Sequence, residues 1–381
     1  MKIFVLGLPH SQTLDPASSS HTSCAFTSQI WYLCRMLHRR GHEVIHLGTE
    51  GSNPECTEHV SVSTLKDYEA LYGKKRPTDY YDTSCDGSKQ RYMNLYAARV
   101  KLAVAERTTK NWSAVVCNTF GAGAQQTACE GIPQFVVESG IGYNYPWSKY
   151  RVYPCYAWLH FHHGVEKKYA GDQWYHVVIP HAFDPDLFGP VVDEKQDYAL
   201  YFGRLQEDKG VRLAVDVARK IGLPIKIVGL GNPAPFLGPG VQYLEPVGAK
   251  DRNELMRHAR MLFCPTRYVE PFGGVAVEAA LAGCPAISTD WGGFTETIVH
   301  GVTGWRCRTM EQFVWAARHA GDVKPAACRQ WASANFSPDV IAPRYEEYFD
   351  MLLRMELEKD GWSSARDDRQ QLDWLRREYP R

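Results

Sequence analysis

Apolar and polar positions fall into two successive series along this 381-residue chain. The first opens with Lys2 to Leu8, a short apolar run suited to a strand buried on both faces. A Ser-rich loop follows, Ser18-Ser19-Ser20-His21-Thr22-Ser23. Ile30, Leu33, Cys34 and Leu37 then recur at the spacing of one helix face. Arg35, His38, Arg39 and Arg40 fall mostly off that face, and Gly41 is placed to end the helix. Val44 to Leu47 restarts a strand, which makes a βαβ unit. Its basic cluster reads as a solvated helix end rather than an anion site. Residues 51–92 are polar and rich in turn formers, which predicts an irregular insertion. Further strands are expected at Ala114–Cys117, Gln134–Val137 and His176–Ile179. The first two run into Asn118-Thr119 and Glu138-Ser139-Gly140. Open α/β sheets take ligands at such carboxyl ends, so these loops join the candidate site.

From Pro180 to Lys195 the chain turns polar and carries three prolines, the mark of a domain boundary. A second series follows. Strands are expected at Ala199–Phe202, Ile225–Val228, Met261–Cys264 and Ala286–Ser288. Helices alternate with them near 209–221, 251–259 and 274–282. The expected fold class is therefore α/β, with a second parallel sheet covered by helices on both faces. The expected domains are 1–190, 191–360 and a charged helical tail, 361–381. No repeat of 20–50 residues is visible.

Composition narrows the partners. Lys and Arg number 43, as do Asp and Glu, so there is no cationic surplus for a nucleic-acid groove. Apolar residues are 44% and charged residues 23%, values of a globular chain rather than a disordered one. No apolar run approaches the ~18 residues of a membrane span, and the N-terminus lacks the features of a secretory signal. The eleven cysteines are odd in number, form no CxxC pair and include several inside apolar runs. Free thiols in a reducing compartment fit this pattern, so a cytoplasmic location is expected. The sequons at Asn111 and Asn335 carry no weight without a secretory signal.

The chemistry concentrates in the second series. A strand expected to end at Cys264 leads through Pro265 to a loop holding Glu270, then Pro271 and Gly273-Gly274 at the start of a helix. Uncovered N–H groups at such a start attract phosphate. Glu278 stands about one turn in, where it either pleases the helix dipole or turns toward hydroxyl groups such as those of a ribose. In Tyr201-Phe-Gly-Arg-Leu-Gln-Glu-Asp-Lys-Gly210, Gly203 permits close backbone approach, and Arg204 and Lys209 put two cations in one strand-to-helix loop. Alone they would pass for surface charges; beside the glycine-rich helix start they form a clamp for a diphosphate.

These motifs identify a resemblance. The spacing Glu270-x7-Glu278 within EPFGGVAVEAALAG, the run GR-x4-KG at 203–210, Val178-Ile-Pro-His-Ala-Phe-Asp184, and WGGFTETIVHGVTGW with Glu296 and Gly304 resemble retaining glycosyltransferases of family 4. The resemblance spans nearly the whole second domain and is weaker in the first. It implies a GT-B architecture: two Rossmann-like domains facing a deep cleft, with a C-terminal helix crossing back to the first. It implies that Arg204 and Lys209 hold the donor diphosphate and that Glu270 meets hydroxyls of the transferred sugar. Phe272, Gly273 and Gly274 would cradle phosphate, Glu278 would bind ribose, and Arg252 or Lys250, after Val247, would lie near the base. A cation there leans toward GDP-mannose over UDP-glucose. Hexose transfer to a hydroxyl of a glycan, glycolipid or other acceptor would proceed by front-face attack, with no metal or other cofactor. A homodimer is left open.

Two departures stand out. The first βα loop has a Ser-rich segment, holding His21, where the family usually has Gly-Gly. Glu138-Ser139-Gly140 stands where a His often follows the strand. First-domain cleft candidates are therefore His21, Glu138, Gly140 and His160. His160, His162 and His163 read more readily as polar residues at a helix start, and no third metal ligand has suitable spacing. Asp184-Pro185-Asp186 reads as a turn rather than a metal motif. Two rival readings share the architecture: a sugar-nucleotide 2-epimerase, which needs no acceptor, and a non-catalytic sugar-nucleotide-binding protein. GLGNP at 229–233 is a poor dinucleotide fingerprint, which argues against a dehydrogenase.

Overall fold

A computed structural model describes residues 1–18, 24–74, 90–108, 114–120, 123–166 and 175–358. The chain begins β1 (Lys2–Leu6), α1 (Ala25–Arg39), β2 (Glu43–Thr49), β3 (Glu58–Ser63), α2 (Leu65–Tyr72), α3 (Gln90–Arg107), β4 (Ala114–Asn118), α4 (Ala124–Cys129) and β5 (Phe135–Glu138). It continues through β6 (Tyr150–Tyr153), α5 (Tyr156–Val165) and β7 (Val177–Val178). These strands form one sheet in the order β3-β2-β1-β4-β5-β6-β7, with parallel pairing throughout.

The β1 sequence explains its place at the centre. Ile3 and Val5 pack on one face with α1, whereas Phe4 and Leu6 pack on the other with α3. A strand buried on both faces has no position for a polar side chain, hence the unbroken apolar run.

The second half comprises β8 (Ala199–Phe202), α6 (Val211–Ile221), β9 (Ile225–Val228), β10 (Val241–Leu244), α7 (Ala249–His258), β11 (Met261–Cys264), α8 (Gly274–Leu281) and β12 (Ala286–Thr289). Then come α9 (Phe294–Thr297), β13 (Gly304–Cys307), α10 (Met310–Arg318), α11 (Pro325–Phe336) and α12 (Pro338–Glu358). The second sheet is also parallel, ordered β10-β9-β8-β11-β12-β13. The expected α/β class with two Rossmann-like sheets is what the chain adopts.

One expectation needs correction. Residues 51–92 are not wholly irregular, because they contain β3 and α2. β3 is an edge strand whose Val60 and Val62 face inward while Glu58 and Ser61 are exposed. Such a half-covered strand has too few apolar residues to stand out from a loop. Thr64 starts α2 by accepting a hydrogen bond from the Asp67 N–H at 3.0 Å. A helix near the C-terminus does cross back to the first sheet: it is α12, whose Ile341, Tyr345, Phe349 and Leu352 enter the core formed with α1 and β1. Residues 361–381 lie outside the described residues. The two connections between the sheets touch where they pass, the Phe183 N–H donating to the Phe336 carbonyl at 2.8 Å.

The ten described cysteines are all free, and eight of them are buried. No helix among the described residues is long and apolar enough to cross a membrane.

Candidate active site

Strand order decides where ligands collect. In each sheet the order reverses direction at one place, between β1 and β4 and between β8 and β11. Loops leaving two such neighbours diverge to opposite faces and open a crevice at the carboxyl ends. In the second sheet that crevice is bordered by residues 203–210, after β8, and 265–273, after β11.

The two loops are joined by charge. Lys209 Nζ donates to Glu270 Oε2 at 2.7 Å and lies over the Tyr268 ring, 4.7 Å from its centroid. Burial opposes the ammonium charge, but Glu270 and Tyr268 outweigh it and raise the Lys209 pKa. A second pair lies one helix further on, where Arg252 of α7 donates to Glu278 of α8. Burial still pushes the Glu278 carboxyl above its ordinary range, against the effect of Arg252. The Arg252 Nε is buried with no hydrogen-bond partner among the described residues. The residues expected at base and ribose thus meet each other, and Val247 is half-buried just before α7. Arg204 is exposed, with no ion-pair partner among the described residues, and its charge reaches Tyr268.

Between the pairs lies the N-terminus of α8. Gly273 is its cap residue, left-handed at φ 80°, with no side chain accepting from the first turn. A Cβ at Gly273 would stand 2.5 Å from the Phe294 ring, so only glycine fits this turn. The Gly292-Gly293 pair braces the loop from behind. The Gly293 N–H donates to the Glu270 carbonyl at 2.7 Å, and a Cβ at Gly292 would come within 2.6 Å of the Glu270 nitrogen. The result is an open set of backbone donors flanked by two cation–carboxylate pairs.

The first sheet contributes differently. Glu138, at the end of β5, is fully buried, accepting from Tyr143 Oη at 2.7 Å and from the Trp147 and Ser148 N–H groups, both at 2.9 Å. Burial raises its pKa against those donors. Its oxygens therefore organise residues 143–148 rather than facing the crevice. Gly140 does lie at the junction of the sheets, next to His181. His160 is exposed beside Tyr156, on the outside of α5. His160, His162 and His163 lie in the middle and second half of that helix, not at its start. His21 lies outside the described residues. Asp184 makes the expected turn, its Oδ1 accepting from the Asp186 N–H at 3.0 Å, and it also pairs with Arg35 of α1.

Three contributors were not among the site residues expected from the sequence. Glu296 bridges the halves, its carboxylate accepting from the Tyr156 and Ala157 N–H groups at 3.0 and 2.9 Å. Cys155, at the cap of α5, directs its Sγ to the Pro271 carbonyl at 2.9 Å. Carboxyl-end loops of the two sheets therefore face one another, with the start of α5 against the loop that holds Glu270. His181 is the third. It lies in the Val178–Asp184 motif, whose local sequence does not show which groups surround it.

Comparison with known proteins agrees with this geometry. Residues 184–320 match the family described as Glycosyl transferases group 1. A glycogen synthase of Mycobacterium tuberculosis is 33% identical over 151 residues, which is 35% of this chain and 36% of that protein. The chain thus aligns with only about a third of the curated relatives it matches. Solved structures extend the likeness to both sheets. Sucrose-phosphate synthase from Thermosynechococcus elongatus superposes with a TM-score of 0.68 at 16% identity, over 92% of this chain and 99% of that one. Anabaena HepE, solved with UDP-glucose, gives 0.62 at 15% identity over 92% and 99%. The fold is that of GT-B glycosyltransferases.

Proposed function

We propose that this protein is a retaining glycosyltransferase, moving a hexose from a nucleotide diphosphate sugar to a hydroxyl acceptor without a metal ion or other cofactor. One observation carries the reading: the uncapped, glycine-cornered start of α8 lies between Lys209–Glu270 and Arg252–Glu278. An anionic diphosphate would lie on the α8 amides and draw on Lys209 and Arg204. Hydroxyl groups of ribose and hexose would fall to Glu278 and Glu270. As the bond to the leaving group breaks, charge grows on the diphosphate, and preorganised donors stabilise that charge more than the intact donor. Glu270 and Glu278 are each paired with a cation rather than poised as a nucleophile, so the acceptor's proton would pass to the departing phosphate on the face it leaves.

Arg252 is engaged with Glu278, which weakens the ground for favouring guanine. The donor panel therefore includes both GDP-mannose and UDP-glucose, the latter bound by HepE. Calorimetric titration with GDP-, UDP- and ADP-sugars tests the site. Product analysis with an acceptor panel then tests the activity. Transfer with the anomeric configuration kept is the expected result. An epimerised sugar nucleotide without any acceptor would instead identify an epimerase, and binding without turnover a non-catalytic protein.

A further inference from the structure

His181 stands where the two sheets meet. It belongs to the segment that leaves the first sheet after β7 and crosses to the second. Its ring stands edge-on to Phe272, with centroids 4.8 Å apart. A Cβ added at Gly140 would come 3.0 Å from its Cε1. The loop after β5, the crossover and the loop after β11 therefore meet at this one imidazole.

The neighbouring carboxylates have partners. Glu138 has three donors, Asp184 has Arg35 and a backbone N–H, and Glu270 has Lys209. Neither ring nitrogen of His181 has a hydrogen-bond partner among the described residues. His181 lines a small cavity of mixed character, with Thr119 and Ser139 among its polar neighbours and Leu33, Met36 and Ala182 among its apolar ones. Burial lowers the His181 pKa to about 4 and keeps the ring uncharged at neutral pH. An uncharged imidazole offers one donor and one acceptor, which suits a hydroxyl group, itself both. A half-buried polar group left without a partner is costly, and a bound ligand is one way to supply it.

We propose that His181 is a positioning residue for the sugar: its imidazole hydrogen-bonds a hydroxyl of the hexose and holds the ring against the loop of Phe272. The proposal rests on the glycosyl-transfer reading above. Glu270 grips the hexose from the second sheet, and His181 grips it at the junction with the first. Both act on the sugar and neither on the nucleotide.

The test separates those two parts of the donor. His181→Phe keeps a flat ring against Phe272 and removes both nitrogens, while His181→Gln restores a donor and an acceptor. UDP, GDP, UDP-glucose and GDP-mannose are titrated into the full chain and each variant. Release of nucleoside diphosphate with water as acceptor is followed in parallel. Expected for His181→Phe is nucleoside diphosphate affinity within twofold of the wild type. The sugar nucleotide should bind about tenfold more weakly and hydrolyse at least tenfold more slowly, the scale of one hydrogen bond. The Gln variant should recover part of both losses. Unchanged sugar-nucleotide affinity and hydrolysis in the Phe variant overturn the proposal. So does an equal loss of UDP or GDP binding, which marks a packing role. Wild-type protein that binds no sugar nucleotide overturns the glycosyl-transfer reading itself, and with it this one.

Discussion

The carboxyl ends of the two sheets are equipped in opposite ways. The second holds cations and carboxylates in mutual contact, Lys209 with Glu270 and Arg252 with Glu278. The first holds histidines that burial keeps uncharged, and one carboxylate, Glu138, enclosed by three donors. Similar strand orders thus produce a wall with strong local fields and a wall without them. The difference fits a ligand that is anionic at one end and hydroxylic at the other. Paired charges also stay in place before the ligand arrives, which lowers the reorganisation needed when it binds.

Four experiments press on this contrast. Arg204→Ala should have the largest effect, a fall in turnover of about 10²–10³ with the melting temperature nearly unchanged, because the side chain is exposed. Full turnover in that variant would remove the charged wall's claim to catalysis. Lys209→Met should weaken UDP or GDP binding about 10–100-fold, the range of a charge-assisted hydrogen bond; titration reads it directly. A loss below twofold would mean that the pair with Glu270 is purely structural.

The third experiment addresses the uncharged wall. In the folded chain burial lowers His10 and His181 to about 4 and His46 to about 3, whereas unfolded histidine titrates near ~6.5. Between those values the unfolded chain binds more protons, so stability should be full above about pH 6.5 and fall as pH drops toward 4. Urea midpoints at pH 7, 6 and 5 should decline in that order, and a flat series would show these histidines to be solvated. The smallest effect belongs to Glu296→Ala. Losing the carboxylate on the first amides of α5 should cost about 1 kcal/mol, or about 2–4 °C in melting temperature. An unshifted melt would make the bridge between the sheets incidental.

The sequence disclosed the two halves unequally, and the reason is physical. GR-x4-KG and the Glu270–Glu278 stretch are contiguous because each lies on one strand-to-helix turn, where backbone geometry fixes the spacing. Pairing is another matter. Lys209 meets Glu270 across 61 positions and Glu296 meets Tyr156 across 140, and only the relative placement of strands brings them together. Glu138 looked like a cleft residue because it ends a strand, and only the path of residues 143–148 shows that its oxygens are occupied. β3 was hidden for a different reason: an edge strand needs apolar residues on one side only.

The return of α12 to the first sheet bears on how the protein is made. Tyr345 and Phe349 enter the core beside β1, so the earliest strand waits for the last described helix. During synthesis the first half leaves the ribosome with part of that face of its sheet uncovered, while the second sheet has all its strands by Cys307. Domains usually mature from the N-terminus as they emerge; here the C-terminal sheet should become protease-resistant first. Until α12 arrives, the uncovered face is apolar surface for a chaperone to shield.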